Sequence, residues 1–158
     1  MPSRPLILSL HRVGLPPPNA THRCLFTTPL LLEFQIRFLK LLGYRFATLK
    51  DAVESKDEKV AVITFDDGYL DNFTSGLPVL DRLNVPATVF VITGDVGARN
   101  RVWEEAGEKL PANFMTWEDL NILAKFGWEI GSHAHSHIHL SRYPIERQEM
   151  EIARSIQR

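Results

Sequence analysis

The chain has 158 residues, 44% of them hydrophobic, which suits one domain with a buried core. A net charge of −1 offers no basic footprint for nucleic acid or an anionic membrane, and a single cysteine, Cys24, excludes an intrachain disulfide or a cysteine metal cluster. No stretch approaches the ~20 apolar residues of a membrane span, and the six residues between Arg4 and His11 are too few for a secretory leader, so the chain as written reads as cytoplasmic, with neither nucleic acid nor membrane as partner.

Residues 6–10 read as a first buried strand that delivers His11, and Pro16-Pro17-Pro18 then holds the chain extended. Thr28 as N-cap and Pro29 at the first helical position predict a helix whose Leu31, Phe34, Phe38 and Leu41 share one apolar face, ended by Gly43. Residues 45–49 predict a short strand and 51–55 a helical turn. Val60-Ala-Val-Ile-Thr-Phe65 has no polar alternation, the pattern of a strand covered on both faces, and it ends abruptly in Asp66-Asp67-Gly68. A helix through Leu77, Leu80 and Leu83 follows, with Pro78 in its first turn, and residues 86–92 form a second run of the same buried kind.

Residues 93–114, which include Trp103, read as a long loop with a short helix around 104–109, and Trp117 and Trp128 read as packing residues. Thr116-Trp-Glu-Asp119 has the capping-box pattern and opens a helix through Leu120, Leu123 and Ala124, closed by Gly127. Residues 128–132 form a fifth strand that runs straight into four histidines, at 133, 135, 137 and 139. Pro144 opens a last helix with Ile145, Ile152 and Ile156 on one stripe, and its charges, including an Arg147–Glu151 pair, read as a solvated face. The alternating order predicts an α/β fold with about five parallel strands and flanking helices.

Strands of this kind present their chemistry at their C-terminal ends. Two adjacent carboxylates there repel one another unless a cation or a shared proton intervenes, although they could also serve only as a helix cap and turn. His133 and His137, four apart, place both imidazoles on one face of a helical turn; His135 and His139 have the same spacing and point elsewhere. In a parallel sheet the acids after one strand and the histidines after another share a rim, so they could meet at a metal. One carboxylate and two imidazoles leave a coordination position open, the pattern of a catalytic zinc site.

Thr64-Phe65-Asp66-Asp67-Gly68 and Glu129-Ile-Gly-Ser-His133, followed by His137 and Leu140, resemble the two metal motifs of the polysaccharide deacetylases, carbohydrate esterases that include chitooligosaccharide and peptidoglycan deacetylases. Similarity extends through Leu8-Ser-Leu-His11-Arg-Val-Gly14, Gly43-Tyr44, Pro86-Ala-Thr-Val-Phe90 and Thr116-Trp117. Ala134 stands where the second motif usually has Ser or Thr, and a literal His-Ser-x-x-His also occurs one step later, at His135-Ser136-His137-Ile138-His139.

The resemblance implies that Asp67, His133 and His137 hold a divalent metal, Zn2+ first among the choices, and that Asp66 is the general base. The reaction implied is hydrolysis of an acetyl group, through its C–N bond, from an N-acetylated polysaccharide or glycan. A backbone N–H near Tyr69 would help to stabilise the oxyanion, and His11 and Trp103 would contribute to the substrate pocket. The family is built on a (β/α) barrel of seven strands, so five strands imply an incomplete barrel, a domain over residues 1–158 truncated at its C-terminus. The family's later motifs are absent: an orienting arginine, an Asp/Trp wall and a histidine acid. The chain is therefore expected either to be part of an active deacetylase or to be a catalytically impaired, metal- or carbohydrate-binding remnant, with its open barrel edge favouring self-association.

Overall fold

A computed structural model describes residues 4–102 and 111–157. At its centre stands β5 (Val60–Phe65), all six of whose residues are buried. A second β-type pair, β2 (Arg12–Val13) and β3 (Phe26–Thr27), lies apart from the main sheet. In that sheet β1 (Leu6–Leu10), β4 (Arg45–Phe46) and β6 (Thr88–Val91) each pair with β5, and β7 (Glu129–Ser132) pairs with β6; every pairing is parallel. The register sets Leu10 beside Phe65, Phe65 beside Val89, and Val91 beside Ser132. The C-terminal ends of β1, β5 and β7 therefore emerge on one rim, where they deliver His11, Asp66 and His133.

The predicted five-stranded α/β fold is the one observed, with differences in detail. Residues 45–49 do not stay extended: the Thr48 side chain accepts a hydrogen bond from the Asp51 N–H and starts helix α2 (Leu49–Glu54), leaving only a two-residue β4. β6 is shorter than the predicted 86–92. β1 is not a buried strand but an edge, with Leu6 and Ile7 exposed, and β7 is the other edge; neither has a second strand partner among the described residues.

Helix α1 (Pro29–Leu41) starts as predicted, with Thr28 Oγ1 accepting from the Leu31 N–H, but it turns a different face inward. Leu32, Ile36 and Leu39 are buried, whereas Leu31, Phe34, Phe38 and Leu41 lie outside. Leucine, isoleucine and phenylalanine surround this helix, so two apolar stripes are available. The inward stripe is chosen by α3 (Leu77–Arg82): Glu33 pairs with Arg82, and Lys40 Nζ donates to the Leu83 carbonyl. The predicted capping box of α4 (Trp117–Lys125) is present in full, with Asp119 N–H donating to Thr116 Oγ1 and Thr116 N–H to Asp119 Oδ2. α5 (Ile145–Ile156) exposes its isoleucine stripe.

The core lies between the sheet and α1, α3 and α4, where Leu32, Ile36, Ile63, Phe65, Leu80, Met115 and Leu123 are almost fully enclosed. Trp128 packs here as predicted, stacked on Phe65 with ring centroids 5.3 Å apart, a contact worth about 0.5–1.5 kcal/mol beyond its area. Trp117 is partly exposed and the Cys24 thiol is exposed. Trp103 and the short helix predicted at 104–109 lie outside the described residues. No helix among the described residues is long and apolar enough to cross a membrane.

Candidate metal centre

The site begins where β5 ends. Asp66 continues the strand pairing, its N–H donating to the Leu10 carbonyl at 2.9 Å, and its side chain stays half-buried at the rim. Asp67 then leaves the strand with a φ of 73°, an uncommon left-handed conformation for a residue with a side chain. That reversal turns its carboxylate inward, where it is only 3% exposed. Gly68 follows with φ 82°, and a Cβ there would sit 2.9 Å from Val91 Cγ1, so the turn needs glycine for both conformation and space.

The opposite wall is the loop after β7. His133 N–H still pairs with the Val91 carbonyl at 2.8 Å, and the chain then curls through positive φ at Ala134 (62°) and His137 (56°). The curl points both imidazoles at Asp67: Nε2 of His133 lies 3.5 Å and Nε2 of His137 3.4 Å from Asp67 Oδ1. The two rings are 5.2 Å apart, and each side chain is 38% exposed, leaving the cluster open to solvent on one side. Of the two histidine registers, the structure brings together His133 and His137. His135 turns instead to Thr93, its Nδ1 lying 3.1 Å from Thr93 Oγ1.

The electrostatics suit a cation. Burial pushes the Asp67 pKa up, against the pull of His137, His11 and His133. Burial pushes the His137 pKa down, against the pull of Asp67, which favours a neutral ring with a free lone pair at neutral pH. Asp67 Oδ1 is buried with no hydrogen-bond partner. A buried acceptor left in this state is costly, and a divalent ion between it and the two nitrogens would satisfy all three. Their ligand atoms lie within 4.8 Å of one another, so carboxylate and imidazole chemistry and placement both fit such an ion.

The other predicted residues surround this cluster. Asp66 Oδ2 accepts a hydrogen bond from Ser9 Oγ at 3.2 Å. His11 is near enough for its charge to act on Asp67, and its carbonyl accepts from Asn72 Nδ2 at 2.7 Å. Asn72 opens a π-helical turn, Asn72–Gly76, just before α3; beside it Asp71 accepts from the Val13 N–H and from Arg12 Nε, both at 2.9 Å. This turn ties the β1–β2 corner to the Asp66-Asp67 loop. The Tyr69 side chain is buried, stacked on Phe114 and covered by the Arg12 guanidinium; burial and then the Asp67 charge push its phenol pKa up. Trp103 lies outside the described residues.

The sequence pattern described as "Polysaccharide deacetylase" matches residues 53–158, two thirds of the chain and both halves of the cluster. The chain belongs to the polysaccharide deacetylase family. Among deacetylase relatives, YxkH of Bacillus subtilis, which bears the family name by inference, is 30% identical over 129 residues, covering 78% of this chain and 42% of that protein. The poly-β-1,6-N-acetyl-D-glucosamine N-deacetylase of Staphylococcus aureus is 34% identical over 116 residues, 70% of this chain and 37% of that one. The chain thus spans about two fifths of the curated relatives it matches. The fold of the Streptococcus pyogenes deacetylase PplD, solved with acetate, superposes on 98% of this chain and 67% of its own with a TM-score of 0.76 at 24% identity.

Three supports of this deacetylase-family site escaped the sequence reading. Ser9 was read only as part of the first strand, with no role at the site. Thr93 and Gly94 were placed in a featureless loop, yet their N–H groups donate to the Ala134 and His135 carbonyls at 3.1 and 2.8 Å. Glu151 was paired with Arg147 on a solvated face; it is instead 2% exposed and bound to Ser136, while Arg147 lies over the Tyr143 ring. The helical spacing that suggested the Arg147–Glu151 pair says nothing about which face is covered. Ser136, between His133 and His137, and an acid on the next helix were the only signals.

Proposed function

We propose that the chain carries the metal centre of a hydrolase that removes acetyl groups from an N-acetylated polysaccharide or glycan by cleaving the amide C–N bond. The observation that carries this reading is the convergence of two imidazole nitrogens on the buried, unpartnered Oδ1 of Asp67, with a second carboxylate, Asp66, next to it. Asp67, His133 and His137 are the proposed ligands, and zinc fits their mixed nitrogen and oxygen set. When bound, the ion would polarise the acetyl carbonyl and make a neighbouring water easier to deprotonate.

The chain's own residues divide the remaining work. Asp66, oriented by Ser9, accepts a proton from the attacking water as its oxygen bonds to the carbonyl carbon. Negative charge collects on the carbonyl oxygen, and the backbone N–H near Tyr69 is the proposed donor to it. The C–N bond then breaks, a proton goes to the departing nitrogen, and acetate and a free amine are released. His11, on the same rim, is a proposed pocket residue and a candidate to supply that proton; Trp103 is the proposed sugar-stacking residue. The N-deacetylase name of the Staphylococcus aureus relative supports an amino-sugar polymer as substrate. The second reading is a metal- or carbohydrate-binding remnant without turnover.

Zinc titration of the metal-free chain should give one site, lost in His133→Ala and His137→Ala and kept in His139→Ala. Asp66→Asn should retain zinc while acetate release from an acetylated amino-sugar oligomer falls ~10²–10⁴-fold, the usual weight of a general base. Zinc binding unaffected by both ligand substitutions would reject the site, and full activity in Asp66→Asn would place the base elsewhere. Zinc binding without acetate release in the wild-type chain would favour the remnant reading.

A further inference from the structure

We propose that Glu151, on helix α5, is a positioning residue for the metal centre: it clamps Ser136 and so fixes the loop that carries His133 and His137. The inference rests on the reading of those histidines as metal ligands. Glu151 is among the most enclosed charged groups of the chain, while the isoleucines of the same helix face outward. Turning a carboxylate inward and Ile145, Ile152 and Ile156 outward opposes the ordinary sorting of side chains, and a buried carboxylate is tolerated only where hydrogen bonds satisfy it.

Those bonds come from the histidine loop, two from Ser136 and a backbone bond from His135. Ser136 N–H donates to Glu151 Oε2 at 2.9 Å and Ser136 Oγ donates to Oε1 at 2.6 Å. Burial opposes the charge on Glu151, but the Ser136 donors, joined by His135 and its backbone N–H, outweigh it and its pKa lies below the ordinary value of 4.5, so the clamp is made by an ionised group with charge-assisted bonds. Ser136 sits between His135 and His137, and the loop around it has two positive-φ residues, Ala134 and His137. Such conformations are costly for residues with side chains and persist only where neighbours hold them.

The neighbours divide the task. The loop before Ser136 is held from β6 and its extension, through Val91, Thr93 and Gly94. Ser136 itself is held from α5, by a two-pronged acceptor that fixes both its position and the orientation of its peptide. His137 follows immediately, with Nε2 3.4 Å from Asp67 Oδ1. A shift of the peptide at Ser136 moves that nitrogen out of range of a shared ion.

The test is Co(II) titration of the 158-residue chain, followed by its visible absorption, at a temperature where far-UV circular dichroism shows each variant folded. Glu151→Ala should bind Co(II) about 10–100-fold more weakly with a changed band shape, as when a partner of a metal ligand is removed. Glu151→Gln should stay close to wild type, because its amide oxygen can accept from the Ser136 N–H while its NH2 donates to Oγ. Ser136→Ala, which loses one of the two bonds, should fall between. Wild-type affinity and spectrum in Glu151→Ala, with binding lost in His137→Ala, would overturn the clamp and leave the metal reading standing. If Glu151→Ala does not fold, Ser136→Ala decides: weaker binding supports the clamp and unchanged binding overturns it. A wild-type chain that binds no Co(II) would overturn both readings.

Discussion

The two walls of the site meet through residues chosen for what they lack as much as for what they carry. At Gly94 a Cβ would lie 2.4 Å from the His135 carbonyl oxygen, a distance that backbone cannot relieve without moving the histidine loop. The same glycine donates its N–H to that oxygen at 2.8 Å, so the close approach is the hydrogen bond itself. Gly94→Ala should therefore destabilise the chain by ~1–3 kcal/mol, as overpacking does, and should weaken zinc binding at the same time. Gly14→Ala is the matched control, because nothing lies within 4 Å of its added methyl. Thermal unfolding and zinc titration of both variants give the comparison. Equal behaviour of the two would mean that the loop yields easily and that its geometry is not fixed by β6. The three residues proposed as ligands were legible in the sequence, because Asp-Asp-Gly and the histidine spacing are local. Ser9, Gly94 and Glu151 were not, since each acts on a residue far along the chain and none has a pattern of its own.

At the scale of elements, local signals located the starts of helices well and their faces poorly. Thr28 and Thr116 accept the N-cap bonds that their sequence context announces, because capping involves only neighbours within one turn, whereas the cap at Thr48 was hidden in a stretch read as strand. The inward face of α1 is a tertiary choice between two apolar stripes, and the wrong one looked better because it holds both phenylalanines. Those rings do associate, with centroids 6.3 Å apart, but on the outside of the helix. The distinction has a measurable consequence. Ile36→Ala, which opens a cavity at a fully buried position, should cost ~2–5 kcal/mol of unfolding free energy. Phe38→Ser, at a half-exposed position, should change it by no more than ~0.5 kcal/mol. Denaturant titrations of the two would settle the facing of α1, and a larger loss at Phe38 would reverse it.

Across the described residues, neither β1 nor β7 has a strand on its outer side, and exposed apolar side chains lie on β1 and on α5, which follows β7. At one end β1 presents an outer edge with no strand partner among the described residues, with Leu6 and Ile7 exposed. At the other, the outer edge of β7 is unpaired and α5 exposes Ile145, Ile152 and Ile156. Unpaired edges flanked by apolar side chains are templates for association. Because the two ends differ, pairing β7 of one copy with β1 of the next would be head-to-tail, a contact that extends from copy to copy unless its rotation closes a ring. The chain should therefore show light scattering that rises with protein concentration, without a fixed stoichiometry. Ile7→Lys, which places a charge on the β1 edge, should suppress that rise, since inward and edge lysines are how natural sheets avoid such pairing. Leu15→Lys should not, although Leu15 is even more exposed, because it lies in a loop away from either edge. A monomer that persists at high concentration in size-exclusion chromatography with light scattering would show that these edges do not pair, and an equal effect of the two lysines would attribute association to general hydrophobicity and not to the sheet.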